Sequence, residues 1–507
     1  MTNHLFDGLL GGADPETSFA YLENGVEQTY GFLIETSGRI ANALVDIGVR
    51  PDDRVAVQVP KSIEAIALYI ACVRLGAVFL PLNTAYTSNE LEYFISDAGA
   101  ALFVCDPACE TELAPIASRN GAHLATLGAE RDGSLIQKSE SLADTFKTAR
   151  RAPDDLAAIL YTSGTTGRSK GAMLTHDNLL SNAISLVDLW RFTKDDVLFH
   201  ALPIFHTHGL FVATNVTLLA GGAMIFVPGF SVDRAIKHLP KCTAMMGVPT
   251  FYTRLLDEPR FTKEFAAHMR LFISGSAPLL EETHIRFEQR TGKRILERYG
   301  MTETSMTTSN PYDTLRKAGT VGFPLPGVSV RVCNLATGQE LAQGEAGVLE
   351  VKGPNVFKGY WKMPEKTAEE HRDDGYFITG DLARIDTDGY VQIIGRSKDL
   401  IISGGYNIYP KEIELLLDQQ DGVLESAVIG VPHPDLGEGV VGILVASDHD
   451  LCTDTIAEAI RNQVARFKQP KHLVVVSELP RNTMGKVQKS ELRKQYADLF
   501  RDHKAFT

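Results

Sequence analysis

The chain has 507 residues, is 44% hydrophobic and 22% charged, and carries a formal net charge of −13. That length predicts about three domain-sized units, and the acidic balance argues against a nucleic-acid binder, which would present a basic surface. Six scattered cysteines, of which only Cys105 and Cys109 are close, form no zinc pattern and read as free thiols of a reducing compartment.

No Lys or Arg precedes Arg39, which removes the charged start of a secretory signal or transit peptide. Along the first part, Ile34, Ile40, Leu44 and Ile47 predict a helix within 28–48, stopped by Gly48. Residues 54–59 alternate like a strand. Ser62 caps a helix carrying Ile63, Ile66, Ile70 and Val73, and Gly76 ends it. Strands at 77–81, 101–105 and 124–126 alternate with helices at 91–98 and 112–120, which implies a mostly parallel sheet covered by helices. Residues 128–153 are polar and read as a surface connection.

The apolar run 156–160 is a buried strand, and a loop of small residues follows: Thr162, Ser163, Gly164, Thr165, Thr166 and Gly167, with Lys170 just beyond. Glycines let a backbone approach an anion closely, successive N–H groups form a nest for phosphate oxygens, and the hydroxyls add donors. It is not a Walker A loop, because Gly164 is followed five positions on by Ser169, then Lys170 and Gly171. Alone, such a stretch is more often a surface turn.

A helix at about 177–190 comes next, then a strand at 197–202 that runs into Pro203-Ile-Phe-His-Thr-His-Gly209. Residues 208–232 carry no formal charge, yet Gly221-Gly222 and the polar Thr214, Asn215 and Thr217 favour a core helix, a turn and the buried strand 223–227 over a membrane span. The expected protein is cytoplasmic. Buried strands at 241–246 and 271–274 end in small residues or proline, and ligands gather at strand C-termini in α/β sheets. From Thr320 to about 395 short strands and turns predict a β-rich subdomain. Residues 395–399 look like a linker. Beyond them a compact α+β unit is expected, with helices at 410–420 and 453–466, strands at 425–431, 440–446 and 472–476, and a closing helix after Gln488.

Four further stretches accompany the small-residue loop: Glu297-Arg-Tyr-Gly-Met-Thr-Glu303 after a strand at about 294–296, Thr379-Gly-Asp381, Gly395-Arg-Ser-Lys-Asp399 with Gly404-Gly-Tyr406, and Pro480-Arg-Asn-Thr-Met-Gly-Lys486. Each alone is a turn or a loop. In this order and spacing they resemble the adenylate-forming superfamily of acyl-CoA synthetases, peptide-synthetase adenylation domains and luciferases, over nearly the whole chain. Within it the chain is most similar to malonyl-CoA synthetases, through His206–Gly209 and Glu297–Glu303.

The resemblance implies an α/β fold: a large N-terminal domain of two αβ sheets with a β-rich subdomain at about 320–395 (residues 1–396), and a small mobile α+β C-terminal domain (residues 397–507). It implies a two-step ligation through an acyl-adenylate, with ATP and coenzyme A as co-substrates, Mg²⁺ as cofactor, no nucleic acid or membrane, and a monomer. Residues 162–167 would hold the β- and γ-phosphates with Lys170 nearby, Thr302 would donate to the α-phosphate, and Glu303 would hold Mg²⁺. Tyr299 would stack on adenine, with Ser276, Ala277, Pro278, Glu297, Gly300 and Met301 around it. Asp381 would accept the ribose hydroxyls, assisted by Arg396. Lys486 would bridge the attacking carboxylate and the α-phosphate, Lys398 would be the hinge, and Gly404, Gly405 and Tyr406 would face the pantetheine.

Arg298 stands where the superfamily often has a small or polar residue. A permanent cation there would pair bidentately with the second carboxylate of a small diacid such as malonate or methylmalonate. His206 and Thr207 would complete that pocket, with His206 among the catalytic candidates. The alternative at this position is an Arg298 that pairs with Glu297 or another acid and faces away. Other readings are a ligase for another short or medium-chain acid, transfer to a carrier protein instead of free coenzyme A, and a nucleotide-binding regulator without chemistry.

Overall fold

The computed structural model describes residues 3–162, 169–404, 406–447, 451–461, 463–482 and 486–500. Ser163, Gly164, Thr165, Thr166, Gly167 and Gly405, all singled out from sequence, lie outside the described residues. The chain forms two compact units, Met1–Val330 with Val351–Phe377, and Arg331–Glu350 with Ile378–Thr507.

The first unit is built on two sheets. In the seven-stranded sheet the order is Gly359–Tyr360, Lys170–Thr175, Leu156–Thr162, Val78–Pro81, Arg54–Gln58, Leu102–Cys105, His123–Thr126. Its central strands run parallel and are buried on both faces, which is why they read as unbroken apolar runs. The nine-stranded sheet places Leu296–Met301, Leu271–Ser274, Ala244–Gly247, Val197–His200 and Ala223–Phe226 side by side and parallel. Helix Ile63–Leu75 is buried along all 13 residues, so no amphipathic period marks it. Ser62 caps it by accepting from the Ala65 N–H, and Gly76 ends it at φ 82°.

Three differences from the sequence reading have local causes. Within 128–153, residues Ser134–Glu140 form a helix, because Leu135 and Ile136 supply an apolar pair that the core takes up. The early segment Ser18–Leu22 is a strand, paired parallel with Ala223–Phe226 some 200 residues later. Most consequentially, the strand expected at 294–296 is Leu296–Met301, so that the Glu297–Glu303 motif is itself strand and turn. Leu296 and Glu297 continue the parallel ladder against Ile273 and Ser274, and Arg298–Met301 then pair antiparallel with Ser305–Ser309. The apolar stretch after Pro203 winds first as a π-helix over His208–Thr214, then as an α-helix over Asn215–Ala220, and turns at Gly221 into the strand Ala223–Phe226. Among the described residues no helix is long and apolar enough to cross a membrane.

The second unit carries a four-stranded sheet, Ser329–Cys333, Gly347–Lys352, Phe377–Ile385 and Val391–Arg396. It also carries the sheet of Tyr406–Ile408, Ile401–Ser403, Gly437–Ala446, Val423–His433 and His472–Val476. Helix Pro410–Asp418 packs on the latter through Ile413 and Leu417.

Burial pushes the Asp418 carboxyl up from its ordinary 3.8 to about 6, although Ser426 donates to it at 2.7 Å and Lys411 lies 4.0 Å away. The folded chain therefore binds this proton more tightly than the unfolded chain. The contribution to stability is complete below pH 3.8 and is lost as pH rises through 6. Asp418→Asn should thus stabilise the protein above pH 6 by up to about 3 kcal/mol and leave it unchanged near pH 3.5, as read by denaturant melts across that range.

Candidate active site

In the strand Leu296–Met301, Arg298 points into the protein at 3% exposure. Neighbouring strand residues face opposite ways, and Glu297 uses its Oε1 to accept the Leu279 N–H at 3.3 Å. Among the described residues Arg298 has no ion pair with any carboxylate, and its buried Nε and Nη2 have no hydrogen-bond partner. The alternative of a Glu297–Arg298 pair is therefore not what the chain adopts. Burial pushes the guanidinium down from its ordinary value to about 9, which leaves it charged at neutral pH. The guanidinium lies flat against Gly275, where a Cβ would come within 2.4 Å of its Cζ, so the glycine after strand Leu271–Ser274 makes room for it.

The loop 203–209 also borders this charge, through His208. His208, not His206, is the buried imidazole beside this charge. Burial first, then the charge of Arg298, hold it well below its ordinary value, so it is neutral. Its Nδ1 lies 3.1 Å from the Ser276 hydroxyl, while its Nε2 has no partner among the described residues. Thr207 is 2% exposed and its hydroxyl likewise has no partner among the described residues. His206 is half-buried and its Nδ1 accepts the His208 N–H at 3.4 Å. Ser276 sits at φ 70°, a left-handed conformation that costs a non-glycine residue about 1 kcal/mol or more and marks functional turns. Buried donors without partners call for a guest that satisfies them. The charge that Arg298 keeps at neutral pH favours an anionic guest.

The turn at 302–304 joins the antiparallel pair, and Gly300 is required there because a Cβ would meet the Ser305 carbonyl at 1.9 Å. Glu303 is 5% exposed. Its Oε1 lies 3.4 Å from the Thr162 hydroxyl and 3.1 Å from the Tyr360 hydroxyl. Tyr360 also reaches Glu370 at 2.6 Å, and Glu370 holds the Lys170 ammonium at 3.0 Å. Lys170 sits 4.0 Å over the Tyr360 ring. Thus Thr162, Lys170 and Glu303 come together, tied by Tyr360 and Glu370, which the sequence reading missed. Tyr299, Thr302 and Met301 are half-buried on the same hairpin, with the Tyr299 hydroxyl 3.9 Å from the Met301 sulfur, and Ala277 and Pro278 follow Ser276 at its edge.

In the second unit, Asp381 is 2% exposed and pairs with Arg396 at 2.6 Å across the strands Phe377–Ile385 and Val391–Arg396. Lys398 lies in a single 3₁₀ turn, Ser397–Asp399, between that strand and Ile401–Ser403. Gly404 adopts φ 58°, and Tyr406 is exposed and stacks on Phe467 at 4.5 Å. Lys486 is exposed, with its N–H on the Asn482 side chain at 2.9 Å.

A family model for the AMP-binding enzymes matches residues 13–361, and one for the AMP-binding enzyme C-terminal domain matches residues 412–486. The chain is 36% identical over 475 residues to a malonate–CoA ligase of Arabidopsis thaliana, covering 87% of this chain and 78% of that protein. It is 35% identical over 486 residues to a feruloyl-CoA synthase of Amycolatopsis sp, covering 94% and 96%. Among solved structures, ATP-bound MatB from Rhodopseudomonas palustris matches with a TM-score of 0.97 at 56% identity, over 99% of this chain and 100% of that one. The two family matches span both units, and the likeness to an ATP-bound structure runs the length of the fold: the chain belongs to the AMP-binding enzyme family of adenylate-forming proteins.

Proposed function

We propose that this enzyme joins malonate to coenzyme A: the acid attacks the α-phosphate of ATP to give malonyl-adenylate and pyrophosphate, and the coenzyme A thiol then displaces AMP. The observation that carries this reading is the buried Arg298 guanidinium without a carboxylate partner among the described residues. An uncompensated buried charge costs several kcal/mol, and the second carboxylate of malonate would balance it. Thr207, His208 and Ser276 would hold that carboxylate in place. A monocarboxylic acid would leave the charge unbalanced. Relatives named malonate–CoA ligase, in Arabidopsis thaliana and Mus musculus, support the same substrate.

The first step brings two anions together, so cations and donors must lie between them. In this reading residues 162–167 and Lys170 hold the β- and γ-phosphates, Thr302 donates to the α-phosphate, and Lys486 stands between the α-phosphate and the attacking carboxylate. Tyr299 covers the adenine and Asp381 accepts the ribose hydroxyls, with Arg396 fixing its orientation. Glu303 and the Thr162 hydroxyl form an oxygen donor set that suits a hard cation. When bound there, Mg²⁺ would neutralise phosphate charge. Residues 1–396 then bind nucleotide and acid, and residues 397–507 act as a lid that turns about Lys398, with Gly404, Gly405 and Tyr406 along the pantetheine.

Three outcomes follow. ATP-dependent loss of free coenzyme A thiol should be fastest with malonate among malonate, methylmalonate, acetate and octanoate, and Arg298→Ala should lower kcat/KM for malonate by roughly a hundredfold or more. If octanoate or acetate wins, the dicarboxylate reading is wrong. Lys486→Ala should abolish malonate-dependent ATP–pyrophosphate exchange and largely spare thioester formation from supplied malonyl-adenylate, whereas equal loss in both steps would remove the lysine from the first. Lys398→Pro should keep pyrophosphate exchange and lose thioester formation, because a fixed backbone angle blocks the turn between the two steps; the reverse pattern excludes the hinge.

A further inference from the structure

Lys486 is a long, exposed side chain on a hairpin, so its usefulness depends on how firmly its backbone is placed. Asn482 meets both of its main-chain groups. The Lys486 N–H donates to the Asn482 side-chain oxygen at 2.9 Å, and the Asn482 N–H donates to the Lys486 carbonyl at 2.9 Å. Below this pair the two limbs are bridged at Arg481 and Val487, and the Gln488 N–H reaches the Pro480 carbonyl at 2.7 Å. The limbs enter an apolar cluster through Leu479, Val487 and Leu492.

Apolar contacts alone do not fix a hairpin's lateral position. Each limb is also tied by a charge: Arg481 pairs with Glu425, and Lys489 lies 2.5 Å from the Oε1 of Glu414. The second tie is the buried one, with the side chains of Lys489 and Glu414 17% and 8% exposed. The same Oε1 accepts the Val428 N–H at 2.9 Å, so one carboxylate joins helix Pro410–Asp418, strand Val423–His433 and the base of the hairpin. A buried ion pair adds little net stability over an apolar pair of the same volume, and its better attested use is to set register. Lys489 is three residues past Lys486 and opens the helix Lys489–Gln495, so a shift at Lys489 is passed to Lys486.

We propose that Glu414, acting through Lys489, is a positioning residue for Lys486 in adenylate formation. This rests on the reading of Lys486 as the lysine of that step. A displacement of about 1 Å in a group that orients reacting atoms can cost about a hundredfold in rate, while thioester formation, which does not use Lys486, has no reason to respond.

The test compares malonate-dependent ATP–pyrophosphate exchange with thioester formation from supplied malonyl-adenylate, in the full-length protein. Glu414→Gln keeps an acceptor for Val428, Lys489→Met keeps the packing of the alkyl chain, and Lys489→Arg keeps the charge. The expected result is that exchange falls about tenfold or more in the first two, that thioester formation stays within about twofold of wild type, and that Lys489→Arg recovers most of the exchange. Unchanged exchange in Glu414→Gln and Lys489→Met overturns the proposal, and so does equal loss in both half-reactions. Lys486→Ala is run beside them: if it retains exchange, the role of Lys486 itself is refuted, whatever the other variants do.

Discussion

A positive charge sits inside the first unit without a counter-charge from the described residues, and much of the surrounding structure is arranged to tolerate it. Arg298 cannot shed its proton at neutral pH, because even burial brings it down only to about 9. The fold removes competitors instead of supplying a partner. The strand alternation turns Glu297 to the other side, His208 is kept neutral, and Gly275 leaves the guanidinium a flat backbone wall. Such a site carries an electrostatic deficit that only an anionic guest removes. In the proposed reaction, selectivity would then come from the cost of leaving the deficit in place more than from the strength of any one contact.

The phosphate side is organised on the opposite principle. There the cation Lys170 already has an anion, Glu370, and the two acids Glu303 and Glu370 are joined through the single hydroxyl of Tyr360. One hydroxyl has one proton, so it donates to only one acid at a time. The cluster is held together by exchangeable contacts, and because Lys366 also lies 3.2 Å from Glu370, a polyphosphate that took Lys170 in the proposed reaction would leave Glu370 a cation. In the proposed reaction, acid recognition would thus be incomplete until the guest arrives, while the Lys170 side of the nucleotide site would redistribute contacts that it already has.

Much of this was legible in the sequence, and the reasons differ by region. The parallel strands announced themselves as short apolar runs, and Gly48, Gly76 and Ser62 marked helix ends where the chain places them. The motif order led to the family, and Arg298 stood out because that family position is often small or polar. What was missed depended on distance in sequence or on direction in space. Glu370 lies 200 residues from Lys170, and nothing in a lone Glu or Tyr signals such a pairing. The segment Ser18–Leu22 finds its partner strand far along the chain. In His206-Thr207-His208, spacing alone does not tell which imidazole turns inward, and the buried one is His208. The strand at Leu296–Met301 was displaced by a few residues in the reading because Glu297 and Arg298 do not look like strand core.

The π-helix at His208–Thr214 bears on how this pocket changes over evolutionary time. A π-turn holds one residue more than an α-turn. That extra residue is absorbed inside the segment, so losing it would wind His208–Thr214 back to ordinary pitch while the strand before it and the helix Asn215–Ala220 after it kept their register. The change would be felt where His208 opens the segment, beside Arg298. If those two side chains hold the acid, insertion or deletion of a single codon here reshapes the pocket wall without disturbing either sheet.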